Sequence, residues 1–320
     1  MLEETESVAP GLPSQEPDHR VHYEPRVRMV LLVQLGLFIL GSGIGAVVFN
    51  AMVLAFGWDS SLAINENSPE MDRWQIRLQL GLGHLFAFCG SGAFTVWAFY
   101  RSLTGIKPDW PDYLKTRRAP GITLIGLTVL LMAVSIPLVL YSLNINKLIP
   151  LPDFFKELEA QTESVLKGLL RMDHLGEFLG NLTIIALLPA LGEELVFRGI
   201  IQRQLMRRIS NPFLAILLAS AIFSLAHFQL EGFIPRMLLG IILGWLYWET
   251  QNFWVPVIGH FFNNGIQVLG QYLYGKQVSS IDLEKDVQVP WEFAAISVFM
   301  IWVTVRLIRN QNKTQNQIES

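Results

Sequence analysis

Glu193 and Glu194 stand side by side in an apolar run, Phe178 to Ile201, with Arg198 four residues after the second. A charged side chain at the middle of a membrane helix costs about 2.5–3.5 kcal/mol on insertion scales. Two adjacent carboxylates also repel each other. On a helix, Glu194 and Arg198 share a face, whereas Glu193 points about a quarter turn away. The arginine then neutralises one glutamate and leaves the other for general-base chemistry; the competing reading is a purely structural salt-bridge cluster between helices. His227 ends a later apolar run, Phe223-Ser224-Leu225-Ala226-His227. For a turn near Ser210, Glu193 lies seventeen residues before it and His227 seventeen after. Two antiparallel helices, each rising about 1.5 Å per residue, then hold them at one depth. His227 otherwise reads as an interfacial or capping residue. His260 and Asn264 lie four apart in Gly259-His260-Phe261-Phe262-Asn263-Asn264-Gly265 and so share a helix face, with Asn263 rotated away. Two converging polar side chains of this kind can donate hydrogen bonds to a developing oxyanion, or simply join helices. His260 starts near the inner end of its helix. Matching Glu193 in depth requires the helices around Arg198, Arg203, Arg207 and Arg208 to project beyond the bilayer.

These residues need a membrane bundle to hold them. The 320-residue chain is 51% hydrophobic and 16% charged, with mean hydropathy +0.38. Such values place it among polytopic membrane proteins and exclude an ordinary soluble globule. A span needs about 20 apolar residues. Eight runs qualify as candidates: Met29–Phe56, Leu78–Tyr100, Gly121–Leu143, Phe178–Ile201, Phe213–Phe228, Phe233–Trp248, Trp254–Tyr274 and Phe293–Ile308. The expected fold is therefore all-α, a bundle of about eight transmembrane helices. The stretch Asp153–Met172 carries Phe154, Leu158, Val165 and Leu169 among many charges, the pattern of an amphipathic helix on the membrane surface. The chain divides into a disordered cytoplasmic tail (1–27), N-terminal transmembrane helices (28–145) and an amphipathic connection (146–177). A catalytic transmembrane core (178–275), a loop with the last helix (276–309) and a polar tail (310–320) follow. The first apolar run is too long for a cleaved signal core and reads as a retained span.

Basic residues collect in the second loop (Arg101, Lys107, Lys115, Arg117, Arg118), the fourth-to-fifth connection (Arg203, Arg207, Arg208) and the tail (Arg306, Arg309, Lys313). With eight spans all three fall on one side, so both termini of this multi-pass protein are expected on the cytoplasmic side. The loops Asp59–Asp72 and Ile281–Asp286 are acidic or mixed. The net charge of −3 forms no basic stripe for nucleic acid. Cys89, the single cysteine, offers no disulfide framework and reads as a small buried hydrophobe.

Glu-Glu-x-x-x-Arg, Phe-x-x-x-His and His-x-x-x-Asn, in that order on successive apolar segments over Asn181–Ile266, resemble the CAAX-protease and bacteriocin-processing family. Type 2 CAAX prenyl endopeptidases are among its members. The resemblance implies an intramembrane glutamate protease acting on a peptide or membrane-anchored protein. In that scheme Glu193 activates a water with help from His227. His260 and Asn264 stabilise the oxyanion, and Glu194 and Arg198 keep the site in order. No cofactor is implied. A zinc site built from Glu193, His227 and His260 is the less favoured alternative, since the helical His-Glu-x-x-His signature is missing. Gly41-Ser42-Gly43 and Gly90-Ser91-Gly92 suit close helix packing better than a serine nucleophile. A non-proteolytic membrane scaffold or bacteriocin-immunity-like protein is the alternative function. A transporter ranks behind both, because no repeated halves are visible. His19, His22, His84 and His174 have no partner in any motif and receive no catalytic role. The tryptophans read as interfacial anchors, Trp245, Trp248 and Trp254 around one helix end. The sequence carries no signature of oligomeric state.

Overall fold

The computed structural model describes residues 26–58, 64–65, 67–99, 110–278 and 289–319. The expected disordered tail at 1–25, the basic positions Arg101 and Lys107 and the loop Ile281–Asp286 lie outside the described residues. The rest is helical, without a strand among the described residues. Helix α1 is Val27–Phe56, α2 is Glu70–Trp97, α3 is the short Trp110–Leu114, and α4 is Ile122–Asn146. Next come α5 (Asp153–Leu170), the long α6 (175–206), α7 (Pro212–Leu225), α8 (Phe233–Thr250), α9 (Trp254–Val278) and α10 (Trp291–Glu319). Each of the eight expected apolar runs is thus helical where described. Four segments are long and apolar enough to cross a membrane: α1, α2, α4 and Trp291–Thr314 of α10. The other four are shorter or more polar.

Apolar residues such as Leu32, Leu54 and Ile122 point outward on these helices, while polar side chains are buried inside, an inversion suited to lipid surroundings. Small residues let the backbones close up. A Cβ placed on Gly41 of α1 would sit 2.3 Å from the Phe86 carbonyl oxygen of α2, and one on Gly92 2.9 Å from Leu195. Gly41 and Gly92, one from each Gly-Ser-Gly stretch, thus serve packing, whereas Gly43 faces open space. Ser91 accepts a hydrogen bond from Gln34 at 2.9 Å across the same seam.

A buried ionic cluster that the sequence reading did not anticipate ties α2 to α6. Glu177 takes two bonds from Arg73 at 2.8 Å and one from Arg77 at 2.7 Å. Its fourth donor is the Asp173 backbone N–H at 2.8 Å. Arg77 spends its remaining donors on Asn181 and on the carbonyls of Leu169 and Arg171. Because every charge is paired and hydrogen-bonded, the cluster tolerates burial. Helix α5 packs beside it. Leu169 and Val165 join Ile64 and Ile76 in a small apolar cluster, while Phe154 at the far end of α5 is 71% exposed. The expected amphipathic helix is present and uses only part of its apolar stripe against the bundle.

Candidate active site

The site forms where α2, α6, α7 and α9 converge. Helix α6 is not a regular α-helix: π turns at Leu182–Leu187 and Leu195–Gln202 flank the segment Leu188–Glu194, and α2 has its own π turn at Leu85–Gly90. A π turn inserts a residue into the ladder and re-aims the side chains beside it, a local irregularity frequent at functional sites. His84 directly precedes the first of these turns, and Glu193-Glu194 directly precede the last.

The two glutamates are buried, Glu193 to 3% and Glu194 to 0% exposure, and their environments differ as the spacing predicts. Arg198 donates to Glu194 Oε1 at 2.8 Å and to the Gly240 carbonyl at 3.0 Å, with its guanidinium over the Phe223 ring. His260 also meets Glu194 Oε1, through Nδ1 at 2.8 Å. Glu194 therefore holds both the arginine and the imidazole through Oε1, while its Oε2 has no hydrogen-bond partner. Glu193 meets no arginine. Its Oε1 lies 3.2 Å from His84 Nε2, and its Oε2 has no protein hydrogen-bond partner. His260 Nε2 faces that free oxygen at 3.8 Å, a separation that suits a bridging oxygen atom better than a direct bond.

His227 lies just past the end of α7. Its Nδ1 is 2.9 Å from the Phe223 carbonyl. A carbonyl only accepts, so Nδ1 carries the hydrogen and Nε2 is the basic nitrogen of the neutral ring. The ring lies within electrostatic reach of Glu193. Phe223 packs edge-on against both His227 and His260.

Asn264 has a local reason for its place. Pro189 has no N–H and cannot bond the carbonyl four residues back, that of Ile185. Asn264 Nδ2 donates to that carbonyl at 3.0 Å, and Asn263 donates to Asn264 Oδ1 at 3.1 Å. The amide thereby clamps α9 onto the break in α6, one turn from His260, and has a second N–H to offer. Gly192 supplies the matching close approach on α2: a Cβ there would lie 2.8 Å from both Cys89 Sγ and Phe88 Cβ. Only a glycine next to Glu193 allows α2 near enough for His84 to reach the carboxylate.

The structure thus draws Glu193, Glu194, Arg198 and His260 into one set of contacts, with His227 beside it and Asn264 one turn from His260, bonded to Ile185 and Asn263 instead. One expectation changes. His84 does have a partner, Glu193, although no motif includes it; its helix is sequence-distant, and only packing reveals the pair. His174 instead bonds Glu70 at 2.9 Å on the exposed side. Arg203, ten residues beyond Glu193, lines the same cavity as Gln251, nine residues before His260. The two helices therefore reach the site from a common level. Among the described residues, no group of three or more His, Cys, Asp or Glu side chains converges in a metal-ligand arrangement.

Comparison with known proteins falls on this region. Residues 176–266 match the family model described as type II CAAX prenyl endopeptidase, Rce1-like. Over 79 residues the chain is 34% identical to a protein of Bacillus subtilis (strain 168) described as "Putative membrane peptidase YdiL". That stretch is 25% of this chain and 32% of the relative, so the chain spans about a third of the length of the curated relative it matches. No solved structure matches. The resemblance read from the motifs is borne out over this segment, which holds Glu193, Glu194, Arg198, His227, His260 and Asn264. His84 lies outside it.

Proposed function

We propose that the chain is a multi-pass intramembrane endopeptidase of the CAAX-processing type, with Glu193 as the general base. One observation carries the reading: of two adjacent buried glutamates, each with one unpartnered oxygen, Glu194 is paired with Arg198 and His260, whereas Glu193 has no arginine partner and its free oxygen faces His260 Nε2. A water at that oxygen gives a proton to Glu193 and attacks the scissile carbonyl carbon. His227 Nε2 accepts the water's other hydrogen bond and orients it. As the new C–O bond forms, negative charge develops on the carbonyl oxygen. His260 as an imidazolium, stabilised through Nδ1 by Glu194, donates from Nε2 to that oxygen, and the second amide N–H of Asn264 adds another donor. The C–N bond then breaks as Glu193 returns its proton to the leaving nitrogen, so one water is consumed and a carboxylic acid and an amine result, the acid then passing its proton to the amine.

The residues do not require a metal in this scheme. Zinc held by Glu193, His227 and His260 would take His260 through Nε2, with Nδ1 still bonded to Glu194, so the two readings are separated by chelation. The substrate is a peptide or membrane-anchored protein, and both termini are assigned to the cytoplasm.

Membranes carrying the wild-type chain or Glu193→Gln, each with and without a strong zinc chelator, are compared for new protein termini by mass spectrometry. Wild-type termini that survive chelation and fall at least ~100-fold in the variant are expected from loss of a general base. Loss on chelation favours zinc. Identical termini in both membranes favour a scaffold role.

A further inference from the structure

A cavity of about 120 Å³ opens at the end of the bundle away from α5, lined by Lys115, Arg203, Met206, Tyr247, Trp248 and Gln251. Two cations and two aromatic rings face it, and no carboxylate is among its lining residues. Its walls are tied together by three hydrogen bonds between the segment after α3 and the turn before α9. Phe253 N–H donates to the Lys115 carbonyl at 3.2 Å, Asn252 to that of Arg118 at 2.9 Å, and Trp254 Nε1 to that of Thr116 at 3.1 Å. Arg203 is fixed by its bond to the Tyr113 carbonyl and by stacking on the Tyr113 ring, 4.0 Å from the centroid. That anchoring leaves further guanidinium N–H groups for the cavity. Lys115 and Gln251 both have left-handed backbone, φ 59° and 47°. Three non-glycine residues among those described have it, and two of them line this one cavity. Left-handed backbone outside glycine costs about 1–3 kcal/mol and persists where surroundings over-determine it.

We propose that this cavity binds the phosphate group of an anionic phospholipid. Arginine and lysine are the residues that take phosphate oxygens. The cavity lies where three helices end, and Trp248 and Trp254 beside it mark the depth of the headgroups. Basic pockets between membrane helices at that level recognise anionic headgroups. Its volume admits a phosphate and its immediate substituent, while the acyl chains run along the exposed apolar flank. None of its residues touches Glu193 or its partners, so the assignment stands apart from the proteolytic reading.

The test uses the full chain purified in a neutral detergent, with native mass spectrometry counting lipids retained from added dioleoyl phosphatidylglycerol, dioleoyl phosphatidylcholine or inorganic phosphate. Wild type is expected to retain phosphatidylglycerol at least tenfold more tightly than phosphatidylcholine. That preference should drop about tenfold in Lys115→Asn/Arg203→Gln and about threefold in Lys115→Asn alone. The single variant changes an exposed side chain, and asparagine accepts the left-handed backbone. Lys156→Gln, on exposed α5 at the other end, should bind as wild type. Equal retention of the two lipids, or equal phosphatidylglycerol binding by wild type and the Lys115→Asn chain, overturns the proposal. Inorganic phosphate displacing the lipid at micromolar concentration overturns the lipid assignment in favour of a free-phosphate site.

Discussion

Glu193 and Glu194 show how one residue type acquires two jobs from its neighbours. Their difference was legible in the sequence, because a partner four residues away on a helix is a local property. The role of His84 was not, since it depends on two helices, 109 positions apart, meeting edge to edge. Its Nε2–H holds one oxygen of Glu193, leaving the other without a hydrogen-bond partner and facing His260. His84→Phe should therefore slow cleavage by about tenfold, less than Glu193→Gln, because the base survives but loses its orientation. His84→Gln, which restores a donor, should recover most of the rate. A kcat series on a fluorogenic peptide in detergent micelles checks both, and equal rates for His84→Phe and wild type would remove His84 from the site. Arg198 carries a different expectation. Replacing it with Met leaves Glu194 as a buried charge without its strongest partner, and breaking such a pair costs about 3–5 kcal/mol. The chain should then be lost at the folding stage, seen as a collapsed monodisperse fraction on size exclusion.

At the scale of elements, irregularity does the positioning. The periodicity of apolar residues predicted helices correctly, yet it gives no hint of the three π turns, since each adds one residue without changing composition. Pro189 was the visible clue. It frees the Ile185 carbonyl, and Asn264 answers it, so the helix-joining role that the spacing also allowed for this asparagine is the one its contacts display. Gly192 is the second device. Gly192→Ala should force α2 and α6 apart, because the added Cβ meets the Cys89 backbone nitrogen at 3.1 Å as well as two side-chain atoms. Overpacking of this kind costs about 1–3 kcal/mol, and cleavage should fall along with thermal stability. Gly83→Ala, one residue from His84 but with nothing within 4 Å of its Cβ, should leave both unchanged. A parallel fall in the two variants would show that any alanine in α2 or α6 perturbs the site.

At the scale of the whole molecule, the two ends of the bundle sort themselves by which connections meet. At one end, the segment after α3 bonds the turn between α8 and α9, Arg203 reaches Tyr113, and Arg309 of α10 pairs with Glu249 at 3.3 Å. These are the connections that lysine and arginine counting assigned to a single side. At the other end, Asn146 donates to the Leu230 carbonyl at 2.8 Å and accepts from Ile234 N–H at 2.8 Å. Glu159 of α5 accepts from Glu231 N–H at 2.8 Å there, and Ile64 packs on Leu169. The connections after the first, third and fifth runs thus lie together, and those after the second, fourth and sixth lie opposite. That alternation is the one expected if all eight runs cross, because every crossing reverses the side on which the next loop emerges. A topology experiment follows directly, since Cys89 is the single cysteine and can be replaced by serine. Single cysteines at Ala119 and Ser210 should react with a membrane-impermeant maleimide only in inverted vesicles. Cysteines at Asn67 and Leu148 should react only in right-side-out spheroplasts. All four positions are exposed, so reactivity reports side rather than burial. Ala119 and Leu148 are separated by α4 alone, one of the four helices apolar enough to cross unaided. Labelling of that pair from the same side would mean α4 does not cross, and the eight-span order would fail at its most hydrophobic member.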